Sequence, residues 1–242
     1  MFTRRALTGL IAAVALLISC GDDNTAGVKT TVTAATSSEM ATTAIAGPTT
    51  IGAVRLAQPA IWPAADVAFE TPGQAAADFV THVLGVEPVL GTFQQGDSRS
   101  GEIEVFSPGE GAGTRVPRGT LLLRQLGPDN GWFVVGAAND VASITSPESM
   151  AVVPARPLTV EGVARGFEAN VVVTAFLAGD AKALLDSVIT NGGAAETADP
   201  YTAVVDLSAA APGDVVALIV RGGAGLETDP GEFGAIPVVI AG

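Results

Sequence analysis

The side chains equipped for chemistry are few. One His and one Cys occur in 242 residues, which removes the usual zinc sites and leaves little room for a His-dependent triad. His82 stands four residues after Asp78, a spacing that lets the two pair on a solvated helix face. Gly96-Asp-Ser-Arg-Ser-Gly101 has the outline of a strained nucleophile turn, but Ser100 replaces its second glycine, so a loop is expected. Gly109-Glu-Gly-Ala-Gly113 is glycine-rich without the Gly-Lys-Ser/Thr ending of a phosphate loop, and its acid would repel an anion. A hairpin connection is the expectation there. Glu227, Asp229 and Glu232 offer oxygen atoms of the kind Ca²⁺ takes, yet their spacing is not that of an EF-hand loop. A solvated acidic turn is expected. These residues therefore predict no catalytic group, no metal and no cofactor.

Composition narrows the class further. The apolar set makes up 48% and charged residues 15%, so the chain reads as folded. Twelve Lys+Arg against 25 Asp+Glu give a net charge of −13, which excludes the basic footprint a nucleic-acid partner requires. An aromatic content of 5% is low for a carbohydrate platform.

The start of the chain carries an export pattern. Arg4 and Arg5 precede an unbroken apolar run, Leu10–Ile18, far short of the roughly 20 residues a membrane-spanning helix needs. It reads as a signal peptide over 1–19. Thr3-Arg4-Arg5-Ala6-Leu7 also resembles a twin-arginine signal, although two ordinary leader charges suffice to explain it. Leu17-Ile18-Ser19-Cys20 resembles the lipobox of bacterial lipoproteins. That resemblance implies cleavage before Cys20, a diacylglyceryl group on its thiol, and a lipid-anchored place on the extracytoplasmic face of the cell membrane. The two acyl chains of that group suffice for stable anchoring, where a single chain is marginal. Residues 20–50, rich in Thr, Ala and Ser without apolar periodicity, read as a disordered tether.

Residues 51–141 read as a small α+β unit, one helix on a β-meander. Thr71 as N-cap, Pro72 at the first position and Gln74 completing a capping box predict a helix over 72–84, with Gly85 as its stop. Strands are predicted at 101–106, 120–126 and 132–136, the last two joined through an Asn130-Gly131 turn. From 142 to 242 the pattern becomes all-β. Seven short strands are predicted at 142–145, 158–164, 169–176, 183–190, 201–207, 215–221 and 234–240, separated by Gly, Pro and Asn turn signals. That rhythm is the one expected of a disulfide-free immunoglobulin-like sandwich able to fold alone.

Several short motifs occur in order within this half: Ile144-Thr-Ser-Pro147, Arg156-Pro-Leu-Thr-Val-Glu-Gly162, Gly166-Phe-Glu-Ala-Asn-Val171 and Pro200-Tyr-Thr-Ala-Val-Val-Asp-Leu207. Together they resemble the immunoglobulin-like domain of bacterial spore germination proteins. All are framework positions. Leu158 and Val160 should share a strand face, Gly162 should permit a bend or close approach, and Phe167 should fill the space between sheets. The resemblance carries no catalytic or ligand position. It implies a non-enzymatic binding or assembly module of the envelope, held to the membrane through Cys20 and meeting an envelope protein or polymer. The competing expectation is an envelope hydrolase or solute-binding lipoprotein with a site between the two domains.

Overall fold

The computed structural model describes residues 49–50, 56–109, 113–194 and 196–242. The predicted leader, Cys20 and nearly all of the predicted tether lie outside the described residues. The chain runs β1 (Thr49–Thr50), β2 (Val67–Ala68), helix α1 (Pro72–Phe79), β3 (Val89–Leu90), β4 (Gln94–Gln95), β5 (Ser100–Pro108), β6 (Arg115–Leu126) and β7 (Gly131–Ala138). It continues as β8 (Ala142–Ser146), β9 (Val152–Val153), β10 (Pro157–Gly166), β11 (Asn170–Leu177), β12 (Leu184–Asn191), β13 (Gly193–Ala194), β14 (Asp199–Asp206), β15 (Val215–Gly222) and β16 (Phe233–Ile240).

The helix forms where its caps demand. The Thr71 hydroxyl accepts from the Gln74 N–H at 3.3 Å, and the Gln74 side chain accepts from the Thr71 N–H at 3.1 Å. After Phe79 the helix widens into one π-type segment, Val80–Leu84, and Gly85 ends it at φ 74°. That left-handed conformation is cheap only without a Cβ. The α1 face with Ala75, Ala76 and Phe79 is buried.

The strands form two sheets that matter for the core. The larger runs β12-β11-β15-β16-β7-β6-β5-β3, with β4 on β5 and β9 on β16. The smaller places β10 between β14 on one side and β8 and β13 on the other. In β14 the alternation is strict: Tyr201, Ala203 and Val205 are buried, whereas Thr202, Val204 and Asp206 are exposed, as a sheet with one wet face requires. Leu158 and Val160 both pack into the same core. Gly162 sits at a register shift between β10 and β8, and a Cβ there would lie 1.9 Å from the Ser143 carbonyl oxygen. Both roles expected of that glycine are thus met at one position.

β15 and β16 behave differently, being buried on both faces. Val216, Leu218 and Val220, with Val171 and Val173 of β11, face the smaller sheet and pack with its Val160, Ala203 and Val205. Ala217 and Ile219, with Phe176, Phe233 and Ala235, face the other way, onto Phe79, Val80, Leu84, Leu121 and Trp132. The predicted α+β unit and the predicted sandwich therefore meet on one sheet, joined where Ala235 of β16 pairs with Ala137 of β7. The described residues belong to one compact unit.

Two local expectations need correction. Phe167 does not fill the space between sheets; it is 60% exposed. β10 ends just before it, and the chain reverses through Glu168 and Ala169, both left-handed at φ 55° and 60°, which leaves the ring outside over Gly225. In the 127–131 turn the left-handed residues are Gly127 and Asn130. Gly131 is required for a different reason: a Cβ there would come within 2.5 Å of the Ala68 Cβ.

Candidate functional site

The acidic 226–233 loop, weighed above as a Ca²⁺ candidate, is instead gripped by arginines from three strands. Arg118 of β6 donates to both Asp229 and, at 3.0 Å, Glu232. Its Nε also donates to the Ser107 hydroxyl at 3.0 Å. Arg165 of β10 donates to the same Glu232 carboxylate oxygen at 3.2 Å and reaches the Glu196 carbonyl at 3.0 Å. Arg221 of β15 donates twice to the Pro230 carbonyl, at 3.0 and 2.8 Å, and once to the Leu84 carbonyl at the helix C-terminus, at 3.2 Å. Burial pushes the Arg221 guanidinium below its ordinary value, and the nearby Asp229 charge opposes that shift.

This arrangement disposes of the loop's acids. Asp229 is buried, and its second oxygen accepts from the Gly231 N–H at 2.9 Å. Removing such carboxylates from water is tolerable only because guanidinium forks and backbone donors satisfy them. Among the described residues no group of three His, Cys, Asp or Glu side chains is placed to hold a metal ion. The three arginines went unrecognised in the sequence. The available signal was their scarcity among 12 cations and the position of Arg221 directly after the apolar run Ala217-Leu-Ile-Val220.

What the clamp presents is apolar. Leu226, at the tip of the gripped loop, is 63% exposed, and Phe167 stands beside the same loop against Gly225. The Phe167 N–H donates to the Gly223 carbonyl at 2.7 Å, tying the two turns together. Two large apolar side chains thus face solvent on backbone fixed by ion pairs and by consecutive left-handed residues. Such conformations persist only where their surroundings hold them.

The remaining candidates keep structural roles. His82 pairs with Asp78, Nδ1 to Oδ2 at 3.3 Å, and its ring stacks on Trp62 with centroids 6.0 Å apart. The Trp62 indole donates to the other Asp78 oxygen at 2.7 Å. Residues 96–99 form a tight turn, where Asp97 accepts from the Arg99 N–H at 2.7 Å. That bond, with the Ser100 hydroxyl, holds its carboxyl below the usual carboxylate range. Gly109 and Thr114 close the β5–β6 hairpin through a 2.9 Å backbone bond.

Two of the grooves among the described residues bear on these candidates. A mainly apolar one of about 790 Å³ lies between residues 56–65 and the 177–178 and 213–215 turns, with Gln58 and Asp214 at its wall. A second, of about 420 Å³, is lined by Glu102, Glu104, Asp140 and Glu232, together with Arg165. A hydrolase would need such carboxylates to converge, but Glu232 is already committed to two guanidinium groups.

No curated protein and no solved structure matches this chain. A family model, the immunoglobulin-like domain of bacterial spore germination, does match residues 141–221, the segment that carries six of the seven principal strands and all of the ordered framework motifs.

Proposed function

We propose that the chain is a lipid-anchored, extracytoplasmic module of a bacterial envelope that acts by binding, not by catalysis. The observation that carries this reading is the presented pair Phe167 and Leu226 at the loop end of an immunoglobulin-like domain. Loops held on a rigid scaffold are the usual place for recognition, and exposed apolar side chains on fixed backbone bind at low entropic cost. The Arg118, Arg165 and Arg221 clamp supplies that rigidity. The leader pattern and Leu17-Ile-Ser-Cys20 supply the anchor in this reading, and the partner is an envelope protein or polymer.

The test has two arms. Cys20→Ala should leave the precursor uncut or release the protein, and processed protein still retained at the membrane would contradict the anchor. Recovery of a specific envelope partner by the lipidated chain should be lost on Phe167→Ser and Leu226→Ser. Turnover of peptidoglycan or another glycan by the purified chain, with no partner recovered, would favour the hydrolase reading and place its site in the carboxylate-lined groove.

A further inference from the structure

The larger sheet ends on β12, which pairs with β11 and with no other described strand. Its inward side chains are occupied. Thr190, Val188 and Asp186 lie opposite the buried Val171, Val173 and Ala175. Thr190 donates to the Thr202 carbonyl at 3.0 Å, and Asp186 accepts from the Asp206 N–H at 2.8 Å, which lashes β12 to β14. Its outward side chains Leu184, Ser187 and Ile189 are all exposed, Ile189 to 73%.

Edge strands are normally blunted by Lys, Pro, free charge or a bulge along their length. The segment Leu184-Leu-Asp-Ser-Val-Ile-Thr-Asn191 contains no Lys and no Pro. Its one charge is turned inward onto β14, and its one bulge falls at the start, so pairing with β11 is regular from Asp186 to Asn191. On a molecule of net charge −13, this uncharged strand is where a second copy can approach without like charges meeting.

The flanks favour an antiparallel approach. Lys182 is exposed just before β12, beside the exposed Asp180 that accepts from its N–H, so that end is balanced in charge, while Glu196 and Asp199 are exposed beyond the other end. Antiparallel pairing of two β12 strands brings each Lys182 toward the acidic end of the other copy. We propose that β12 is a self-association surface, on which two copies pair antiparallel about a two-fold axis at Ser187 and continue one sheet across both. Such an isologous contact closes as a dimer. Main-chain hydrogen bonds supply its affinity, and Leu184 and Ile189 its apolar contact. It does not rest on the anchoring reading.

Sedimentation velocity on the full chain in non-ionic detergent should show a concentration-dependent dimer. Ile189→Lys, at a solvent-facing position that leaves the core intact, should weaken that dimer at least about tenfold by setting like charges beside the axis. Ser187→Cys in a Cys20→Ala background should cross-link on mild oxidation, whereas Thr159→Cys, on the outer face of the other sheet, should not. A monomer at every concentration, a dimer indifferent to Ile189→Lys, or equal cross-linking from position 159 would overturn the proposal.

Discussion

The two cores of this protein are built from different materials. The one beneath the helix gathers Trp62, Phe69, Phe79, Trp132, Phe176 and Phe233. The one between the sheets is almost entirely Val, Ala, Leu and Ile, with Tyr201 its only aromatic. The difference follows from geometry. A short helix over a twisted meander leaves irregular space that large rings fill, whereas two aligned sheets about 10 Å apart are filled by short branched side chains at alternate positions. β15 and β16 serve both, with aliphatic residues turned to the sandwich and Phe233, Ile219 and Ala235 to the helix. A strand shared in this way couples the two cores.

That coupling is most directly strained at Phe233. The side chain is fully buried on the helix-facing side of β16, so Phe233→Ala should cost about 3–5 kcal/mol. The loss should appear in the sandwich as well as in the helix half when denaturant unfolding is followed. Next in size is Arg118→Met. It leaves Asp229 and Glu232 without their shared guanidinium in a largely buried place, and should lower stability by about 3 kcal/mol in the same measurement. If the loss were below about 1 kcal/mol, the range of a surface pair, the clamp would be ornamental.

Smaller effects belong to single regions. Thr71→Ala removes the helix cap and should cost about 1 kcal/mol, with equilibrium unfolding as the measure. Asp97 in the meander and Asp206 in the sandwich offer a matched pair of exposed carboxylates. Each is held below the ordinary carboxylate range, Asp97 first by the Arg99 N–H and Asp206 first by the Ser208 hydroxyl. Because the folded value is depressed, the stability each contributes is present above the unfolded value and is lost as pH falls through the folded one. Asp97→Asn and Asp206→Asn should therefore lower the unfolding midpoint slightly at about pH 6, and the difference from the parent should shrink as the pH is taken below the ordinary carboxylate range.

The sequence discloses best what is local. The Thr71 to Gln74 box and Gly85 bracket the helical segment at its two ends, and period-two burial marks β5 and β14. Each of the seven strands expected after residue 141 is present, with ends shifted by one or two residues. What was hidden is relational. β3, β4, β9 and β13 have two residues each and exist only through their partners. Arg118 meets Asp229 across 111 positions of sequence, and Arg221 meets Leu84 across 137. Phe167 reads as a core residue by type, and only the left-handed turn that follows it explains its exposure. The site is the least legible part, because the acidic loop shows its charge in sequence but not the distant Arg118, Arg165 and Arg221 that neutralise it.

One shared sheet makes the two cores unfold together, and the chain carries its own probes for this coupling. Both tryptophans, Trp62 and Trp132, lie in the helix half, and the only tyrosine, Tyr201, is buried in the sandwich with its hydroxyl donating to the Ser143 carbonyl at 3.3 Å. Leu207 is fully buried in the sandwich core. Leu207→Ala, followed in guanidinium by tryptophan fluorescence and by tyrosine absorbance, should move both midpoints by the same amount, with one slope. A tryptophan midpoint that stays at the parent value while the tyrosine midpoint falls would contradict the account.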